Sequence, residues 1–152
     1  MLYRILLFLI INFSGLAIGS YFTGSGVPSD WYQNLNKAPW TPSGWVFGAA
    51  WSTIMICFAI YMAYAYKLTD NTKLLVFLFS IQWLLNASWN PIFFYYKNVL
   101  WGLIIIEMLT ILIFSLFFNY FTNLKIKSFL IMPYIIWLLI ASSLNAYILF
   151  KN

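Results

Sequence analysis

Apolar runs long enough to cross a bilayer, separated by polar turns, recur along this chain and leave it few folds to adopt. Ile5 to Tyr21 carries no charge and, at about 17 residues, just spans a hydrocarbon core of roughly 30 Å. Similar runs follow at approximately 45–66, 73–96, 99–121 and 126–150. Inside hydrocarbon a backbone must satisfy its own N–H and C=O groups, so such runs become helices. The sequence therefore predicts an all-α integral membrane protein: a bundle of five transmembrane helices occupying residues 1–152 as a single domain, with a long loop between helices one and two. Composition agrees, at 64 % hydrophobic and 7 % charged, against about 25 % charged in a soluble domain. The first run also reads as a secretory signal with small residues at Ala17 to Ser20, but it is long for one and carries the pair Gly15 and Gly19, which suits close helix packing.

The side-chain inventory excludes whole classes of chemistry. There is no histidine, one cysteine (Cys57), and three acids, Asp30, Asp70 and Glu107. A Cys/His zinc site, an imidazole-ligated haem and a Ser/His/Asp triad are all ruled out, and no metal site is expected. The net charge of +5 comes from single Lys and Arg residues near span ends, not from the basic stripe of a nucleic-acid binder. Arg4, Lys67, Lys73, Lys125 and Lys127 fall on the side of the N-terminus, against Lys37, Lys97 and Lys151 opposite, which favours a cytoplasmic N-terminus.

Polar and aromatic residues concentrate together in Asp30 to Trp51. Four of the eight tryptophans and two of the five prolines lie there. Pro39 and Pro42 interrupt any helix across Ala38 to Ser43 and stiffen the entry to helix two, for which Ser43 is the expected N-cap. Thr23 to Gly26 is expected to be flexible, and Pro91 to kink or end helix three. This composition suits an ordered lid rather than a linker.

Helical spacing gives that lid something to cover. Gln82, Asn86, Trp89 and Phe93 share one face of helix three; Gly48, Trp51, Met55 and Phe58 share one of helix two; Tyr134, Trp137, Ala141 and Leu144 or Asn145 share one of helix five. Facing inward, they would enclose an aromatic pocket with a few amides, suited to a flat hydrophobic ligand with a polar edge. The competing reading makes the amides interhelical glue, and assigns Trp31, Tyr32, Trp45, Tyr95, Tyr96 and Trp101 to interface belts. Glu107 sits within a span and is expected to be protonated or paired with Asn86 or Ser88, in a structural role. Leu144, Tyr147 and Lys151, and again Leu116, Tyr120 and Lys125, fit a loose pattern proposed for cholesterol contact.

The run Trp31-Tyr32-x-x-Leu35-x-Lys37-x-Pro39-Trp40-Thr41-Pro42-x-x-Trp45-Val46-Phe47-Gly48-x-x-Trp51 closely resembles the first loop and second helix of the TspO/translocator protein family, the tryptophan-rich sensory proteins also known as peripheral-type benzodiazepine receptors. Gln82-x-x-x-Asn86-x-x-Trp89-x-Pro91-x-Phe93-Phe94 resembles the family's third helix, and Pro133-Tyr134-x-x-Trp137 with Leu144-Asn145 its fifth. The resemblance implies a five-helix, usually homodimeric bundle in a membrane, here expected to be a bacterial cell membrane. It also implies a pocket for protoporphyrin IX or a related porphyrin, or for sterols, beneath the first loop, with no cofactor required. The ligand-binding set it points to is Tyr32, Trp40, Trp51, Gln82, Asn86, Trp89, Trp137 and Ala141. Some members are associated with light- and oxygen-dependent porphyrin conversion through tryptophans, and Trp51 and Trp137 stand at the matching positions. Carrying of sterol or lipid without catalysis, or a regulatory membrane interaction, are the other functions considered. The chain departs from the family pattern at Ala38, Ser43, Gly44 and Met55, leaving Lys37 as the cation nearest the lid.

Overall fold

The computed structural model describes all residues from Met1 to Asn152. It contains five long helices and one short one, with no strand: α1 (Leu2–Gly26), α2 (Asp30–Gln33), α3 (Gly44–Leu68), α4 (Thr72–Asn90), α5 (Val99–Leu124) and α6 (Met132–Lys151). α1, α3 and the stretch from Val99 to Lys151 are long and apolar enough to cross a membrane. α4 is shorter and less apolar, because Ser80, Gln82, Asn86, Ser88 and Asn90 all lie on it. The chain is a multi-pass membrane protein.

The long helices close into a ring. α1 packs on α3 and α4, α4 on α5, α5 on α6, and α6 returns to α3. The loop from Val27 to Ser43, with α2 inside it, lies at the end shared by Gly26, Gly44, Tyr95, Val99 and Lys151.

Several local features depart from the sequence reading, each for a visible reason. Thr23 to Gly26 is the last turn of α1 rather than a flexible link. Thr23 Oγ1 is 2.9 Å from the Gly19 carbonyl and 2.8 Å from Asn90 Oδ1, and Gly26 is buried against Phe94. Gly15 and Gly19 belong to the same row, facing Trp83 and Asn90, so close approach of α4 and of the turn that follows it gives all three glycines a packing role. Ser43 occupies the N-cap position of α3, yet its side chain makes no capping bond.

At Pro91 the missing N–H and the ring end the α-helical ladder. The chain widens into a π-turn over Pro91–Tyr95, in which the Tyr96 N–H reaches the Pro91 carbonyl at 3.0 Å. Lys97, with φ of 53°, completes the reversal. α6 starts at Met132 rather than near residue 126, because Pro133 suits a first helical turn and a 3₁₀ segment, Lys125–Ile131, precedes it. Lys125 also has φ of 53°, which separates α5 from that segment.

Gly26→Val places side-chain atoms where Phe94 already sits. It is expected to cost about 1–3 kcal/mol, as overpacking does. Gly24→Ala meets no atom within 4 Å and should change stability by no more than about 1 kcal/mol, in the stabilising direction. Thermal unfolding of the two variants in detergent measures the difference.

Candidate functional site

Buried polar side chains tie the helices to one another. The Asn12 amide on α1 donates to the Met55 carbonyl of α3 at 3.1 Å. The Trp83 indole donates to the Ile11 carbonyl at 2.9 Å, and the Tyr61 hydroxyl to the Leu116 carbonyl at 2.8 Å. Gln82 on α4 donates to the Tyr134 hydroxyl on α6 at 2.8 Å. One turn or two further toward the loop, the Trp89 indole donates to Asn145 Oδ1 at 3.3 Å, and Asn145 Nδ2 to the Val99 carbonyl at 2.9 Å.

Between these ties, Phe47 and Trp51 of α3, Asn86 and Trp89 of α4, Ile106 and Leu109 of α5, and Trp137, Leu138 and Ala141 of α6 line a small cavity of about 40 Å³. Three indoles and one amide thus meet from three helices. Phe47 and Trp137 make an edge contact at 5.3 Å, Trp51 and Tyr134 another at 5.9 Å, and Trp89 stacks on Phe93 at 4.9 Å. Trp89 is oriented by Asn145. Trp137 is 6 % exposed, and its indole N–H finds no acceptor in the protein. A buried donor left unpaired costs about 1–3 kcal/mol, so this group has a use for an acceptor brought in by a ligand.

The sequence-expected site residues separate into three places. Trp51, Asn86, Trp89, Trp137 and Ala141 line the cavity. Gln82 lies outside its lining, committed to Tyr134 through Nε2 while its Oε1 has no partner. Tyr32 and Trp40 belong to the loop. Tyr32 contacts Phe93 and Phe94, beside Trp31; Trp40 donates to Ser143 Oγ at 3.1 Å and meets the Tyr147 ring.

Burial pushes the Tyr32 phenol above its ordinary range, and the Lys37 ammonium lies 4.7 Å from its ring centroid. Lys37 also donates to the Gln33 carbonyl at 3.2 Å. The lid cation is therefore engaged within the loop.

Other expectations need correction. Gly48 is exposed, with no atom near its Cβ position; Phe47, one turn before Trp51, supplies the wall instead, because Trp51, Met55 and Phe58 continue its stripe. Trp31 and Tyr32 pack on the aromatic cluster of the π-turn rather than standing in an interface belt, whereas Trp45, Tyr95, Tyr96 and Trp101 are exposed as belt residues are. Glu107 is exposed on the outer face of α5, away from Asn86 and Ser88; Ser88 donates to the Leu85 carbonyl instead. Leu116, Tyr120 and Leu144 are buried, so neither cholesterol-like pattern forms a continuous outward face.

Phe47, Ile106, Leu109 and Leu138 escape the sequence reading because an apolar wall looks like any other membrane-helix stripe. Asn12 and Trp83 carried a legible signal, a polar edge within a span, that spacing alone did not assign to a partner.

A ring of membrane helices around an indole-lined chamber, with an aromatic loop at one end of the bundle, defines the molecule as a tryptophan-rich helical membrane protein. It belongs to the TspO/MBR family, whose pattern matches residues 7–151. Among its relatives, the tryptophan-rich protein TspO of Archaeoglobus fulgidus is 34 % identical over 88 % of this chain and 87 % of its own length. Protein CrtK of Rhodobacter capsulatus is 30 % identical over 85 % and 80 %. The human translocator protein is 27 % identical over 86 % and 79 %.

The Gln82–Tyr134 pair gives a direct test of the polar ties. Tyr134→Phe strands the Gln82 amide and should cost about 1–3 kcal/mol, whereas Gln82→Met combined with Tyr134→Phe removes both partners and should recover most of that loss. Chemical or thermal unfolding of the single and double variants reads the coupling.

Proposed function

We propose that this protein binds a porphyrin, with protoporphyrin IX as the model ligand, in the chamber of Trp51, Asn86, Trp89, Trp137 and Ala141, beneath a loop carrying Tyr32 and Trp40. The observation that carries the reading is the convergence of three indoles and an amide on one interior space, with the Trp137 N–H unpaired beside them. Indole faces suit a flat conjugated ring, and the N–H and amide suit polar groups at its edge. Gln82 enters this reading by holding α4 against α6 below the chamber.

The space of about 40 Å³ is far below the roughly 300–1,000 Å³ of pockets that hold such ligands. Binding on this reading therefore requires the chamber to widen and the loop to move. No cofactor is needed to bind. Under light, on this reading, Trp51 or Trp137 gives one electron to the excited porphyrin and oxygen takes it from the reduced ring as superoxide, so the indole is the group oxidised and the ring is regenerated.

Saturable quenching of tryptophan fluorescence by protoporphyrin IX is the expected result in detergent, weakened at least about tenfold in Trp51→Phe/Trp137→Phe, the loss of about 1.4 kcal/mol. Equal, non-saturating quenching in both proteins would overturn the proposal. Absorption spectra of the complex in the dark and after illumination separate inert binding from conversion. Vesicle-to-vesicle sterol transfer without any porphyrin response would support the sterol-carrier alternative.

The same reading carries a homodimer. A furrow of about 900 Å³ between α1 and α4, walled by Leu7, Ile11, Val76 and Leu84, with Arg4 at its rim, has room for side chains of a second copy. Light scattering of the detergent-purified protein should give the mass of two chains, and Leu84→Arg should shift it to one.

A further inference from the structure

The loop is held to the bundle in two different ways. Its first half, Trp31 to Leu35, is packed: Trp31, Tyr32 and Leu35 rest on Phe93, Phe94 and Ile148. Its second half, Asn36 to Trp40, has Ala38 buried at its middle and makes its polar bonds to α6 at its two ends, through Asn36 and Trp40.

Those bonds follow one stripe. Trp40 reaches Ser143 and Tyr147, and Asn36 reaches Lys151 and Asn152, so the contacts climb α6 at intervals of four residues. At the upper end, Asn36 N–H donates to Asn152 Oδ1 at 2.8 Å, and Asn36 Nδ2 donates to the Lys151 carbonyl at 3.1 Å. Asn152 Nδ2 lies 3.4 Å from the Asn36 carbonyl and donates to the Ile148 carbonyl at 2.8 Å. Two carbonyls of the last turn of α6, which have no partner within the helix, are thereby satisfied by amides.

We infer that Asn36 and Asn152 form a latch that holds the Asn36–Trp40 strap shut, and that they are positioning residues setting how fast ligand enters and leaves the chamber without touching it. The inference rests on the reading that ligand binds beneath the loop. Packed aromatic contacts at Trp31–Leu35 keep one half in place, while the exposed bonds of Asn36 trade readily with water. Opening then frees Asn36 from α6 and leaves Trp31 to Leu35 seated. Because the latch closes alike over the empty and the filled chamber, releasing it speeds entry and exit together; losing a direct ligand contact speeds exit alone.

The test uses the full chain in detergent, comparing Asn36→Ala, Asn152→Ala, the double variant and Asn152→Asp. Asn152→Asp keeps the acceptor for the Asn36 N–H and lacks the donor. Hydrogen exchange read by mass spectrometry should rise about tenfold over residues 36–41 in Asn152→Ala, and by less in Asn36→Ala, whose backbone N–H still donates to Asn152 Oδ1, with 31–35 unchanged in both. The double variant should add little to Asn152→Ala, and Asn152→Asp should fall between it and the parent.

Stopped-flow fluorescence with protoporphyrin IX should show association and dissociation both faster by about the same factor, with the equilibrium constant nearly unchanged. Unchanged exchange over 36–41, or exchange rising equally over 31–35, would overturn the latch. Faster exchange with unaltered rates would overturn its control of access. If protoporphyrin IX fails to bind saturably even to the parent, the functional reading falls while the exchange experiment still decides the latch.

Discussion

Hydrocarbon offers no hydrogen bonds, so a polar group that enters the membrane is costly unless it finds a partner within the protein. This chain meets most of that demand with a few cross-helix bonds, while Gln82 Oε1 and the Trp137 N–H stay unpaired. Asn12 ties α1 to α3, Trp83 ties α4 to α1, Tyr61 ties α3 to α5, and Gln82 ties α4 to α6. Apolar packing in lipid gains little from the hydrophobic effect, because lipid tails are as apolar as leucine. The relative placement of the helices therefore leans on these bonds and on the glycine row of α1, which lets α4 come close. The chamber lies where the framework of bonds leaves a gap.

The widened turn at Pro91 connects that framework to the loop. By ending α4 early it turns Phe93 and Phe94 into an aromatic seat: Phe93 stacks on Trp89 on the chamber side and meets Trp31 and Tyr32 on the other. Asn145 then fixes Trp89 from α6 while holding the start of α5 through Val99. Chamber wall, π-turn and loop are thus one continuous aromatic contact, so a change in the orientation of Trp89 is felt by Tyr32 through a single ring.

Much of this was legible in the sequence, and the limits were physical. Long apolar runs announce membrane helices because backbone satisfaction admits few alternatives, and Trp51, Asn86, Trp89 and Trp137 stand out because large or polar groups are conspicuous in such runs. Helix ends were harder. Thr23 to Gly26 has the composition of a flexible link, and only Asn90 and Phe94, nearly seventy residues away, hold it as helix. Phe47 and Gly48 illustrate the angular limit: one residue is about 100° of helix rotation, enough to exchange a chamber wall for an exposed position. Glu107 was conspicuous for its charge, but periodicity alone did not resolve which way it points.

The size of the chamber changes how affinity should be understood. A space of about 40 Å³ means that, on the porphyrin reading, the conformation drawn here is the resting one and the competent one is a minor state. The apparent dissociation constant is then the intrinsic one divided by the populated fraction of that state. Residues that never touch ligand but hold the chamber narrow, such as Asn145 orienting Trp89, weaken observed binding while they stabilise that state and strengthen it when they are lost, unlike the Asn36–Asn152 latch, which closes alike over the empty and the filled chamber. The unpaired Trp137 N–H acts in the opposite direction, since an acceptor on the ligand relieves a cost that the closed state carries. Selectivity in such a site depends less on the shape of the resting cavity than on which ligands offset the work of opening it: those broad enough to cover three indoles and polar enough at one edge to satisfy Trp137 and Asn86.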